Sequence, residues 1–319
     1  MLGSDYSSVP IMGSQGALVP GICDRLSAMI ARLSIALLFA LGMRAQIFTL
    51  TRDQVMKYTA ENPYDRFPDG RPKVPDELLE KVKGLSIEEV WAVLPGKGYR
   101  QQFAGPGWRI MHPEKKLVGR AVTLQFMPAR PDLQKPSDPN TNSSGPRIAQ
   151  HQRFIDNLQP GDVAVVDLYG KIEGGTIVGD NLATAIWNAS KTGLVVDGAI
   201  RDAEGIFPIG MPVYYRGVHP TPIDYSSAMV TGVNVPVKIG DATVMPGDIV
   251  FGDRGGLYFI PPQFVKEVVD KAEITHIHDE WTKMKLDTGK YKSSDIYPTP
   301  HDPALKKEYE EYLKKRLGK

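Results

Sequence analysis

The stretch "GDVAVVDLYGKIEGGTIVGDNLATAIWNASKTGLVVDGAIRD", residues 161–202, decides the fold. Asp162 to Leu168 is an almost unbroken apolar run behind a glycine turn, the pattern of a strand covered on both faces. A Gly-rich turn follows, then the helical stretch "NLATAIWNAS", then a second apolar run, Leu194 to Val196. "IAQHQRFIDNL", just ahead, is helical and ends before Pro160. Helix, strand, turn, helix, strand contains a βαβ crossover, so the two runs are expected as parallel neighbours in an α/β sheet.

That topology brings two short polar motifs to one edge. Ligands of α/β sheets gather beyond the carboxyl ends of the strands. The helix begins where the first strand ends, and "DGAIRD" reads as the exit loop of the second. Gly179-Asp180 and Arg201-Asp202 are therefore expected on one rim. Asp180 is expected as the helix N-cap, its carboxylate accepting a first-turn N–H. The N–H groups of Asn181 and Leu182 would then face a small anion, and Gly179 would let it come close to the backbone.

Such a set supports a definite chemistry. Arginine pairs bidentately with a carboxylate. A lone aspartate with room for waters suits Mg²⁺, which prefers oxygen and dehydrates reluctantly. A carboxylate held by helix N–H groups, with a keto oxygen beside the metal, describes a bound 2-oxo acid. The metal would act as a Lewis acid when a C–C bond breaks. Taken alone, Arg201-Asp202 reads first as a surface ion pair in a turn.

Working outward, Val118 to Phe126 alternates like a strand, and "PVYYRG", "VPVKIG", "DIVFGD" and "GLYFI" read as short strands. Residues 127–147, rich in Pro, Ser and Asn, are expected as one long surface loop. Helices are expected within 51–94, one starting at Pro75-Asp76 and one with a Ser86/Glu89 capping box. Two more are expected at Phe264 to Met284 and Pro303 to Arg316. A catalytic core at 96–262 thus lies between an N-terminal helical extension at 47–95 and C-terminal helices at 263–319.

Residues 1–46 read as a leader. Arg32, the apolar Leu33 to Leu41 and Ala45 make a core too short to span a bilayer, in the pattern of a signal peptide at 29–45. Export to the periplasm or beyond is the expectation, with no membrane association once the peptide is removed. A buried N-terminal helix is the alternative. Cys23, the single cysteine, lies ahead of that segment, so a processed chain would have no thiol chemistry. With 38 Lys plus Arg against 37 Asp plus Glu there is no basic excess to bind nucleic acid.

In this order, "PGDVAVVDLYG", "GGTIVGDNLATAIWNASKTGLVVDGAIRD", "PVYYRG" and "VPVKIGDATVMPGDIVFGDRGGLYFIP" resemble the RraA-like family, over about residues 115–285. The family includes 4-hydroxy-4-methyl-2-oxoglutarate aldolases, oxaloacetate decarboxylases and a cytoplasmic regulator of ribonuclease E. The resemblance implies an α/β fold, an αββα sandwich of the swivelling phosphohistidine-domain-like type, with added helices at both ends. The family's Gly-Asp-x20-Arg-Asp motif falls on Gly179-Asp180 and Arg201-Asp202. It implies that Gly179, Asp180, Asn181 and Leu182 contact the substrate, that Arg201 binds the pyruvyl group and that Asp202 holds Mg²⁺ or Mn²⁺. It also implies a homotrimer or hexamer in which a neighbour's C-terminal helix offers a carboxylate to the metal's waters. Glu280 is the choice for that carboxylate, ahead of Asp279, and Glu204 is a further candidate near the metal.

The expected function is metal-dependent cleavage of a small 2-oxo acid, by retro-aldol reaction or decarboxylation, through a pyruvate enolate. Asp180 would orient Arg201 or a catalytic water. No lysine singles itself out for a Schiff base, so water on the metal is the expected base. Two alternatives stand: a non-catalytic binding protein like the ribonuclease regulator, which the leader disfavours, and an enzyme for another hydroxy or oxo acid. "THIHDEW" suggests zinc, but His276 and His278, two residues apart, diverge on a helix. His112, His151 and His219 are isolated and read as structural. Arg216 fits either the site's edge or the surface.

Overall fold

The parallel pairing of the two apolar runs organises the whole sheet. The computed structural model describes residues 48–137 and 150–318. The chain divides into Met1–Ala45 and Gln46–Lys319, and every described residue belongs to the second unit; the signal-peptide segment lies outside the described residues.

Among the described residues the strands are β1 (Phe48–Thr49), β2 (Phe103–Ala104), β3 (Arg109–Met111), β4 (Leu117–Pro128), β5 (Asp162–Asp167), β6 (Gly193–Ile200), β7 (Val213–Val218), β8 (Ala228–Val233), β9 (Val237–Ile239), β10 (Ala242–Val244), β11 (Ile249–Asp253) and β12 (Gly256–Ile260). The helices are α1 (Arg52–Tyr58), α2 (Asp76–Lys83), α3 (Ile87–Trp91), α4 (Pro131–Ser137), α5 (Gln150–Asp156), α6 (Asp180–Ser190), α7 (Ala203–Ile206), α8 (Val265–Leu286), α9 (Ser293–Ile296) and α10 (Pro303–Arg316). One mixed sheet runs β2-β12-β11-β4-β5-β6-β7-β3, with β8 on β4 and β1 on β8. The β5–β6 pair is parallel, as the crossover requires, and so are β4–β5 and β6–β7.

Every residue of β5 and β6 is buried. Val166, Leu194 and Val196 pack with Phe154 and Ile155 of α5 and Ile186 of α6. Val163, Val165 and Val195 face the β9–β10 hairpin through Val237, Ile239 and Val244. Burying one such side chain contributes roughly 1.5–3 kcal/mol. That double covering explains why both strands read as apolar runs and not as alternating ones.

The residues before β2 belong to the same body. Val74, Leu79, Val82, Ile87 and Val90 share a core with Phe251, Tyr258, Val265 and Val268. Arg71, 2% exposed, pairs with Asp162 at the start of β5 (3.0 Å) and with Asp69 (2.6 Å). The Ser86/Glu89 capping box forms as its spacing requires.

Two expectations need correction, and one strand was not expected at all. The expected loop at 127–147 does not begin as loop, and its residues 138–147 lie outside the described residues: β4 continues to Pro128, pairing Met127 with Met229 and Pro128 with Ala228. Then Pro131 opens α4 from the first helical position, where its missing N–H costs nothing. "DGAI" is not an exit loop either. β6 runs to Ile200, because Ala199 bridges Thr176 and pairs with Gly217. The strand "AMVTGV", β8, is absent from the sequence reading, since its glycine and threonine blur the alternation.

Candidate functional site

The site is built where β6 ends against the start of α6. Gly179, extended at φ −112° and ψ −171°, is the N-cap of α6, and Asp180 is its first helical residue. The expectation that Asp180 caps the helix is therefore wrong by one position. Its Oδ1 accepts the N–H of the next residue, Asn181, at 2.8 Å, instead of reaching into the first turn. The Arg201 N–H donates to the Val178 carbonyl (3.0 Å), fastening the end of β6 to the residue before Gly179.

Asp202 then turns the chain through a left-handed backbone, φ 53° and ψ 41°. Its carbonyl accepts the N–H groups of Gly205 (2.9 Å) and Ile206 (3.0 Å), which starts α7. Arg201 Nε donates to Asp202 Oδ2 at 3.2 Å. Two glycines make the approach possible. A Cβ on Gly179 would stand 2.3 Å from Asp202 Oδ2 and 3.0 Å from Arg201 Nε; one on Gly205 would stand 2.9 Å from Asp180 Oδ2. Gly179, Asp180, Arg201 and Asp202 thus meet on one rim, as the crossover argument requires.

The pair is open to solvent: the Arg201 side chain is 27% exposed and that of Asp202 45%. Among the described residues the other guanidinium nitrogens of Arg201 have no protein hydrogen bond. Leu182 packs half-buried against the core, Asn181 is exposed, and Glu204 is exposed on α7. Beneath lies His151 of α5, 8% exposed, its Nδ1 hydrogen-bonded to the Tyr225 hydroxyl. Burial, and then the Arg201 charge, push its pKa down to about 4, so the ring is neutral. His151 is thus not the isolated residue the sequence suggests.

The donor set fits a divalent cation that keeps its waters. Asp202 offers one exposed carboxylate, a hard oxygen ligand, in the manner of Mg²⁺ sites. A zinc site would need three or four protein ligands, and no such group gathers among the described residues. His276 Nδ1 faces Glu89 at 3.8 Å, while His278 faces Asp279 at 3.4 Å and packs against Tyr309. Glu280 does not join the rim within this chain; its carboxylate is held by Arg316.

Arg216 is committed elsewhere. Its Nε donates to Asp197 Oδ1 (2.7 Å), its Nη1 to the Pro106 carbonyl (2.9 Å), and its guanidinium stacks 3.7 Å from the Trp108 ring centre. Asp197 and Asp167 stand opposite each other on β6 and β5, in a cleft of about 740 Å³. Burial, chiefly, raises the Asp167 pKa. Sequence reasoning passed over both aspartates, although each breaks an apolar strand at the matching register position, and that repetition is the readable signal.

The family model described as "RraA-like: Aldolase/RraA" matches residues 88–258, more than half of the chain. The chain belongs to the RraA-like family. It is 29% identical over 182 residues to Protein DlpA of Legionella pneumophila, covering 54% of this chain and 26% of that protein. It is 32% identical over 110 residues to the 4-hydroxy-4-methyl-2-oxoglutarate aldolase of Thermus thermophilus, covering 34% of this chain and 65% of the enzyme. The chain therefore spans less than two thirds of either relative. Among solved structures it is similar to RraAS2 of Streptomyces coelicolor, an unusual member of the RNase ES inhibitor RraA protein family. The TM-score is 0.58 at 30% identity, covering 67% of this chain and all of that one. The α/β fold of this RraA-like chain is that of its relatives.

Proposed function

We propose that this RraA-like protein is a divalent-metal-dependent carbon–carbon lyase acting on a small 2-oxo acid. One observation carries the reading: the Gly179–Asp202 approach, which puts a helix start, an accessible arginine and an accessible aspartate within contact of one another. Retro-aldol cleavage of a 4-hydroxy-2-oxo acid and decarboxylation of an oxaloacetate-like acid both leave a pyruvate enolate, so one site serves either. Arg201 pairs with the substrate carboxylate and stabilises the charge that develops on the enolate oxygen. Asp180, given room by the missing side chain of Gly205, orients the arginine or the water that takes the proton. Asp202 is the residue to hold Mg²⁺ or Mn²⁺, which when bound supplies Lewis-acid polarisation of the keto oxygen. The Thermus relative's name supports aldol chemistry.

The proposal includes a homotrimer or hexamer, with Glu280 of a neighbouring copy completing the site, and export through residues 29–45. Pyruvate release from a panel of 4-hydroxy-2-oxo acids and oxaloacetate, with and without Mg²⁺, tests the activity. Magnesium-dependent pyruvate is the expected result. No pyruvate from any member would favour the regulatory reading, which rests on the likeness to RraAS2.

A further inference from the structure

We propose that His112 is a positioning residue for the Arg201–Asp202 site. It lies just past β3, far from the motif in sequence, yet it holds the segment that follows Asp202. Its Nε2 stands 2.8 Å from the Phe207 carbonyl, and its ring stacks on Phe207 with centroids 4.5 Å apart. A carbonyl only accepts, so Nε2 carries the proton and donates. Nδ1 faces Glu114 Oε1 at 3.1 Å. Three residues on, Lys115 Nζ donates to the Gly210 carbonyl at 2.7 Å. The His112 side chain itself is only 11% exposed, while Phe207, on which it stacks, is 58% exposed.

The segment needs such an anchor. α7 is four residues long, a single turn that has no stability of its own. It hangs from Asp202, whose left-handed backbone is unfavourable for a residue with a side chain. Upstream, the Arg201 N–H to Val178 carbonyl bond fixes the approach; Ile206, fully buried in the core, seats the turn, and past it His112 on Phe207 and Lys115 on Gly210 fasten the residues that follow. His112 itself adopts φ 61°, also left-handed, a strain that the surrounding contacts hold in place. It acts on Asp202 and Gly205 through the backbone and belongs to the positioning machinery.

The inference rests on the lyase reading only for its chemistry, and the test separates the two. In the full chain, amide exchange at Gly205 and Ile206 is compared among wild type, His112→Ala and His112→Gln, together with Mn²⁺ affinity by electron paramagnetic resonance. His112→Ala should speed exchange at both amides by about tenfold or more while β6 amides stay unchanged. Mn²⁺ affinity should fall by roughly tenfold. Glutamine, which can donate to the same carbonyl, should restore both. Wild-type exchange at Gly205 and Ile206 in His112→Ala, or no rescue by glutamine, would overturn the role of His112. If wild type binds no Mn²⁺, the metal reading fails, while the exchange data still decide on His112.

Discussion

Gly179 stands so close to Asp202 that a single added Cβ would come within 2.3 Å of the carboxylate oxygen Oδ2. The backbone at Gly179 is ordinary extended chain, so glycine is needed there for space and not for conformation. Gly179→Ala should therefore turn the Asp202 side chain away with a stability loss on the order of 1 kcal/mol. Mn²⁺ affinity should fall by roughly tenfold or more. Unchanged metal affinity in a folded Gly179→Ala protein would mean that the contact has no part in the site.

Arg71 and Asp162 link the N-terminal helices to β5 through a pair buried on both sides, 2% and 0% exposed. Arg71→Ala leaves the Asp162 carboxylate without its cation, which costs about 3–5 kcal/mol. Denaturant melts should show that loss, and Asp162→Asn in the same chain should recover much of it. A single-variant loss below about 1 kcal/mol would show that the buried pair adds little to the apolar packing that already joins the helices to the core.

Asp248, 3% exposed, accepts the Met245 N–H at 2.8 Å, and burial raises its pKa from 3.8 to about 7. A carboxyl whose folded pKa lies above its unfolded value stabilises the fold while protonated. That contribution is complete below about pH 4 and is lost as the pH rises through about 7. Asp248→Asn keeps an acceptor for Met245 and does not titrate. The variant should gain on wild type by roughly 2–4 kcal/mol between about pH 4 and pH 8. A constant difference across that range in urea melts would contradict the shift.

Much of this was legible because strand burial and residue type coincide. β5 and β6 are covered on both faces and read as apolar runs, so the crossover and its shared rim follow from pattern alone. The Ser86/Glu89 box and α10 are local devices whose residues specify them without tertiary help. What escaped is long-range. The two-residue strands β1 and β2 exist only through pairing with β8 and β12. His112 reads as isolated because its partner, Phe207, is distant in sequence. Asp180 was misplaced by one residue because glycine, lacking a side chain, serves as the N-cap without any side-chain signal.

The most direct measurement is Mg²⁺-dependent pyruvate release by wild type, Asp202→Asn, Arg201→Ala and Arg201→Lys, side by side. The pair is partly exposed, so each substitution should change stability by only about 0–1 kcal/mol. Asp202→Asn should lose at least about 100-fold in kcat/KM, partly recovered at high Mg²⁺ or Mn²⁺. Arg201→Lys should fail nearly as badly as Arg201→Ala, because an ammonium cannot reproduce the planar fork. Wild-type turnover by Asp202→Asn at the metal concentration that half-saturates the wild type would contradict a metal-dependent lyase built on Arg201 and Asp202.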